Sequence, residues 1–321
     1  MSPAASPDAG PTTGAGRAAD RPRGRYAPSP TGPLHLGNLR TALLAWLSAR
    51  SSGSEFLLRI EDLDSGRSRE KWVEVQLEEL RLIGINWDGE PVRQSERYDL
   101  YAEAIERLRS EGLVYECFCT RAEIREAASA PHGELPEGAY PGTCATLSPS
   151  ELEERRETGR PPALRVRAEA APFEFEDSLH GRVTGRVDDF VIRRNDGDFG
   201  YNLAVAVDDA GQGITEVVRG ADLLETTGRQ LWLYEQLGLT SPRTWAHVPL
   251  MLGEDGARLA KRHGAVTLEE QLEAGLSAHE VTSALLGSLG LDQSAVEALQ
   301  TGDPAPFNWA SIGAADRGKM I

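Results

Sequence analysis

Cysteine is scarce, with three residues in a chain of 321. So few thiols exclude a scaffold built on disulfides. No apolar run approaches the roughly 18 residues that cross a bilayer, which excludes a membrane-spanning helix, and no membrane partner is expected. Basic residues are in deficit: 34 Lys and Arg stand against 50 Asp and Glu, a formal charge of −16. A chain this acidic does not coat nucleic acid by bulk charge, although net charge leaves room for a local basic groove. Residues 1–24 lack hydrophobic periodicity and consist mainly of Ala, Pro, Gly, Ser and Thr, so they read as a disordered tail. They have no apolar centre of the kind a signal peptide needs, and Asp8 and Asp20 count against a transit peptide, so the expected location is cytoplasmic. What is present, 40% hydrophobic and 26% charged residues, is the mix of a soluble globular protein. The length suits about two domains, or one domain with a large insertion.

Order begins at Arg25. Residues 25–38 (RYAPSPTGPLHLGN) start extended and pass into a loop stiffened by Pro28, Pro30 and Pro33, and Leu39–Arg50 then reads as a helix. Glu55–Ile60 is a buried strand ending at Glu61, and amphipathic helices are expected over 70–83 and 99–111. This alternation predicts an α/β fold with a Rossmann-like, doubly wound parallel sheet. The pattern breaks at 115–195, which holds all three cysteines and short alternating segments, and reads as an inserted α+β module. It resumes over 196–265, so 25–114 and 196–265 together form the expected catalytic domain. Residues 266–300 form a short helical region and 301–321 a loose tail.

Two loops suit a polyphosphate. In His35-Leu-Gly37-Asn38 the glycine permits close backbone approach, and the helix that follows points its N-terminus at whatever binds. His35 can hydrogen-bond phosphate oxygens as charge builds. Further on, Arg258-Leu-Ala-Lys261-Arg262 is a basic patch in an acidic chain, placed after a glycine-rich turn. Read singly, the first is a capped, proline-stiffened loop and the second a solvated turn. The cysteines offer a third site. Cys117-Phe-Cys119 can place two thiolates on one tetrahedral metal, and Cys144 can close it from across a loop.

Taken together, RYAPSPTGPLHLGN, RIEDLD (59–64), YNLAVAVDD (201–209), TEVVRGADLL (215–224) and RLAKR (258–262) resemble the ordered motifs of class I aminoacyl-tRNA synthetases of the glutamyl type. Asn38 stands where the first signature usually has a second histidine, and Arg262 where the second has serine. The resemblance implies ATP at the carboxyl ends of the strands, contacted by His35, Gly37, Asn38 and Lys261, with His35 and Lys261 catalytic and magnesium accompanying the nucleotide. It implies that Arg25, Tyr26, Ala27, Pro28, Ser29, Glu61, Tyr201 and Arg219 bind L-glutamate. In that set Arg25 and Arg219 are the cations, Glu61 meets the ammonium group and Tyr201 supplies a hydroxyl and a wall. Arg25, Glu61, Tyr201 and Arg219 are expected at the ends of separate strands.

About 60 residues follow Lys261, too few for the helical anticodon-reading region of the full-length relatives, and Val205 replaces the asparagine common in them. Both features are similar to the glutamyl-queuosine branch of the family. That branch activates glutamate as the adenylate and transfers it to the queuosine base in the anticodon loop of tRNA(Asp). By the same resemblance Cys117, Cys119, Tyr140 and Cys144 hold one structural Zn2+, with His132 the alternative to Tyr140. The chain is then expected to be a monomer. The alternatives are a truncated enzyme that charges the tRNA 3′ end, and a non-catalytic tRNA-binding paralogue.

Overall fold

The computed structural model describes residues 21–120, 122–124, 139–253, 259, 266–291, 293–302 and 306–312. Lys261, Arg262, His132 and most of both expected tails lie outside the described residues.

Strand β1 (Arg23–Tyr26) pairs in parallel with β2 (Glu55–Ile60), in register Arg23 to Glu55 and Tyr26 to Leu58, and β2 pairs in parallel with β3 (Val92–Arg93). A second parallel pair joins β9 (Glu216–Gly220) to β10 (Thr244–Val248). The two sheets meet where β1 lies beside β9: Thr215 N–H donates to the Arg23 carbonyl at 2.9 Å, and the Arg25 guanidinium to the Val218 carbonyl at 3.2 Å. From this seam the chain runs outward through β2 and β3 on one side and through β10 on the other. That is the switch point at which open α/β sheets bind ligands.

Alternation along the strands explains the layers. Phe56, Leu58, Ile60, Val218, Ala246 and Val248 enter one core, whereas Leu57, Val217 and Trp245 face a second. Successive strand residues point to opposite faces, so both faces of the sheet need helical cover. On the first face lies α1 (Leu36–Ser51), whose Leu39, Leu43, Leu44, Trp46 and Leu47 are all buried. The same core takes in α2 (Glu70–Leu82) and the C-terminal helices α7 (Leu268–Glu273), α8 (Ala278–Gly287) and α9 (Gln293–Thr301). On the second face lie α3 (Tyr98–Ser110), α5 (Tyr201–Gly211) and α6 (Thr227–Gln236). This is the expected Rossmann-like α/β core.

Two expectations change. The YNLAVAVD segment is not a strand but the body of α5. A short apolar run does not distinguish a buried strand from a buried helix by period. Gly200 caps α5 in extended conformation and runs so close to the preceding strand that a Cβ on it would lie 2.4 Å from the Val191 carbonyl oxygen. Tyr201 therefore sits at a helix start and not at a strand end.

The segment 115–195 also contributes to two sheets. Strands β4 (Val114–Cys117), β5 (Ala163–Val166) and β8 (Val191–Arg193) form an antiparallel sheet of their own, flanked by the charged helix α4 (Pro149–Glu157). The hairpin β6 (Pro172–Asp177)–β7 (Gly181–Arg186) instead joins the main sheet, with Asp177 in parallel register with Trp245 of β10. One set pairs within the segment and the hairpin pairs with a strand far along the chain, Asp177 with Trp245, which local alternation does not reveal.

Candidate active site

A cavity of about 410 Å³ opens at the ends of β1 and β9. Its lining includes Arg25, Tyr26, Ala27, Pro28, Ser29, His35, Gly37, Asn38, Glu61, Tyr201 and Arg219, so every described residue assigned from sequence to glutamate or ATP meets in one place. Lys261 lies outside the described residues.

The proline-rich loop is held from α2. Gln76 donates through Nε2 to the carbonyls of Ser29 (3.0 Å) and Gly32 (2.7 Å), and a Glu79 carboxylate oxygen accepts the Leu34 N–H at 2.9 Å. Those side chains satisfy polar backbone groups that the loop's prolines and bends leave without a sheet partner. The loop delivers His35 as the N-cap of α1, with Gly37 and Asn38 in the first turn at the cavity wall. Arg40, one turn on, is buried and donates to the Pro249 carbonyl at 2.6 Å, and Leu36 N–H donates to the Val266 carbonyl at 2.8 Å. The first signature is thus tied to the chain on both sides of RLAKR.

The cations are buried and differ in their partners. Arg25 contacts Asp209 through Nε at 3.3 Å. Arg59 donates to the same carboxylate at 2.6 Å, to Gln212 at 2.9 Å and to Glu61 at 3.3 Å. Arg219 has only neutral partners among the described residues: His247 Nε2 at 3.0 Å from its Nε, Gln230 Oε1 at 2.9 Å from Nη1 and Thr227 Oγ1 at 2.8 Å from Nη2. Burial pushes the Arg219 guanidinium below its ordinary range. Burial likewise pushes the Glu61 carboxyl up, against the pull of Arg59 and Arg25. Asp208 lies 3.8 Å from Arg59 Nε and is held more closely by Arg97 at 2.6 Å and by Tyr101 and Gln94 at 2.8 Å. Four guanidiniums, Arg25, Arg59, Arg97 and Arg219, therefore share three carboxylates, Asp208, Asp209 and Glu61, and the set has a deficit of one negative charge. A buried charge demands a partner. An amino acid with two carboxylates and one ammonium group carries a net charge of −1 and meets that deficit.

Sequence reading passed over Arg59, Asp209, His247 and Asp177. The first two lie within quoted motifs, RIEDLD and YNLAVAVDD, and a charged residue inside an otherwise apolar run was the available signal. His247 and Asp177 stand alone in their segments and carry no local pattern.

A second cluster lies at the end of β4. The sulfurs of Cys117, Cys119 and Cys144 all lie within 4.8 Å of one another. The Tyr140 hydroxyl is 3.5 Å from Cys117 Sγ and 3.4 Å from Cys119 Sγ, and it accepts the Cys144 N–H at 2.9 Å. The Arg165 guanidinium sits 3.8 Å over the Tyr140 ring. Three thiols and one phenol oxygen around a common point can supply four ligands to a tetrahedral ion.

A switch-point cavity that brings a helix start together with two buried guanidiniums suits an α/β enzyme that handles a small acid. Residues 22–304 match the family described as tRNA synthetases class I (E and Q), catalytic domain, and the chain belongs to that family. A relative from Nocardia farcinica, named glutamyl-Q tRNA(Asp) synthetase, is 61% identical over 268 residues, which cover 84% of this chain and 85% of that one. One of the same name from Symbiobacterium thermophilum is 49% identical over 280 residues, covering 84% and 86%. Among solved structures, the glutamate-tRNA synthetase of Elizabethkingia anophelis superposes with a TM-score of 0.76 at 27% identity, over 93% of this chain and 69% of that one.

Proposed function

We propose that this chain activates L-glutamate with ATP and transfers it to the queuosine base in the anticodon loop of tRNA(Asp). The observation that carries the reading is the pair of buried guanidiniums, Arg25 and Arg219, at one cavity whose anions fall one short. Relatives that share most of their length with this chain are named for this activity.

In this reading Arg25 and Arg219 take the two carboxylates of glutamate. Arginine meets a carboxylate with two parallel donors, and a site built on such pairs rejects the amide. Glu61 faces the ammonium group, and Tyr201 closes the wall beside the backbone of Tyr26, Ala27, Pro28 and Ser29. One glutamate carboxylate oxygen attacks the α-phosphorus of ATP. The new O–P bond forms as the bond to pyrophosphate breaks. His35 and the N–H groups of the first turn of α1 meet the phosphates, Lys261 is assigned to them by the family resemblance, and Mg2+ would supply further charge neutralisation there. Positioning and electrostatics provide the rate, because phosphoryl transfer asks for little covalent help. A queuosine hydroxyl then attacks the adenylate carbonyl, an ester forms as the acyl C–O bond to AMP breaks with its electron pair on AMP, and the hydroxyl proton passes to the departing phosphate or to solvent. AMP is a good leaving group, so a dedicated general base is not required.

Cys117, Cys119, Tyr140 and Cys144 fit one structural Zn2+ by number and type of donor, and the 3.4–3.5 Å approach of the Tyr140 hydroxyl to two of the sulfurs supports tyrosine as the fourth ligand. The ion would fasten β4 to the 139–146 turn, on the side we assign to tRNA. We assign a monomer by the family resemblance alone, and a tRNA substrate supports a cytoplasmic site of action. The test is exchange of labelled pyrophosphate into ATP. Exchange that depends on glutamate, and not on glutamine or aspartate, is expected; its absence overturns the reading.

A further inference from the structure

Arg219 is placed by groups that never reach the cavity. Its Nε–H donates to His247 Nε2 at 3.0 Å, so that nitrogen carries a lone pair and the ring proton sits on Nδ1. Nδ1 in turn lies 2.7 Å from Asp177 Oδ2. Both His247 and Asp177 side chains are fully buried. Asp177 reaches the ring from β6, the strand that the hairpin adds beside β10, and its oxygens also accept N–H groups from Leu179 and His180 at 3.0 Å and from His247 itself at 3.1 Å. The imidazole lies parallel to the Trp245 ring, with 6.5 Å between centroids and 6° between planes, and Phe175 stands 6.1 Å away. The ring therefore has little freedom to turn.

We infer that Asp177 and His247 are positioning residues for substrate recognition: the carboxylate fixes the neutral Nδ1–H tautomer, and the Nε2 lone pair locks the Arg219 fork toward the glutamate carboxylate. This deepens the proposed function and rests on it. Three of the five guanidinium N–H groups are consumed by His247, Gln230 and Thr227, which fixes the fork plane and leaves one hydrogen on each terminal nitrogen for a carboxylate.

Protonation of His247 would turn Nε2 from acceptor to donor and set a second cation against Arg219. The charged or titratable groups facing the ring are Asp177 from β6, His180 from the β6–β7 turn and Arg219 from β9. Burial pushes the imidazole below its usual range. The bond to Asp177 opposes this, and Arg219 and His180 add to the depression. The fork is thus held at neutral pH and released on the acid side.

The test is glutamate-dependent pyrophosphate exchange by the full chain from about pH 5.5 to 8.5, read as separate KM values for glutamate and ATP. The wild type is expected to show a glutamate KM that climbs on the acid side. His247→Leu, which has no acceptor, is expected to raise the glutamate KM on the order of tenfold or more at neutral pH and leave that of ATP alone. His247→Gln offers an amide oxygen that does not titrate, so it should recover most of the affinity and flatten the acid limb. Should the leucine variant not fold, Asp177→Asn, which frees the tautomer, is expected to raise the glutamate KM alone. A glutamine variant that keeps the acid limb, or variants whose glutamate KM equals the wild type's while Arg219→Ala destroys glutamate binding, would overturn this inference only. A wild type without glutamate-dependent exchange overturns the functional reading beneath it.

Discussion

Arg25 and Asp209 stand 184 positions apart in the chain, yet Nε of the one lies 3.3 Å from Oδ1 of the other, with the side chains 4% and 0% exposed. The same oxygen accepts Arg59 at 2.6 Å. One carboxylate on α5 therefore restrains guanidiniums on β1 and β2. Asp209→Asn keeps the shape and removes the charge. Loss of one partner from a buried ion cluster costs about 3 kcal/mol or more, which urea unfolding would read. The glutamate KM should rise at least ~10-fold as Arg25 loses its anchor, since 1.4 kcal/mol is one decade. An unchanged KM would separate Asp209 from substrate binding.

The loop of the first signature carries a titrating clamp. Burial pushes the Glu79 carboxyl up to about 7; the bond from Leu34 N–H opposes this and Glu269 adds to it. A carboxyl whose folded value is raised holds its proton where the unfolded chain has lost it. Between about pH 4.5 and 7 the folded state therefore binds more protons than the unfolded one, and stability falls as pH rises through that window. Glu79→Gln does not titrate. Its unfolding free energy relative to wild type should improve by on the order of 2 kcal/mol from pH 5 to 8, read by denaturant melts at both values. A pH-independent difference would show that Glu79 stays charged.

The thiol cluster should bind about one equivalent of zinc, closed by Tyr140. Cys144→Ser is expected to abolish that binding, and Tyr140→Phe to speed release to a chelator. His132→Ala should release zinc as the wild type does. If the ion has the structural role proposed for it, its removal should lower the melting temperature and impair transfer to tRNA while pyrophosphate exchange persists. Rapid release from His132→Ala and not from Tyr140→Phe would assign the fourth ligand to histidine.

The sequence displayed the parts of the site that sit in loops with fixed chemistry. Prolines and glycines pin RYAPSPTGPLHLGN locally, so its residues could be placed without knowledge of the rest, and all of its assigned positions reach the cavity. Tyr201 reaches the cavity, but from the start of a helix and not from the end of a strand. A short apolar run such as 203–207 fits strand or helix, and its period does not decide between them. Asp177 and His247 were invisible because their link depends on a parallel pairing between β6 and β10, 70 residues apart. The seam between β1 and β9, likewise, is written in no local period.

Glutamate transfer to purified tRNA(Asp), with and without queuosine, tests the central claim most directly, with Arg219→Ala as control. We expect label only on the queuosine-bearing tRNA, on the base, with the terminal ribose still open to periodate, and none from the variant. Equal transfer to both tRNAs, or protection of the terminal ribose, would contradict it.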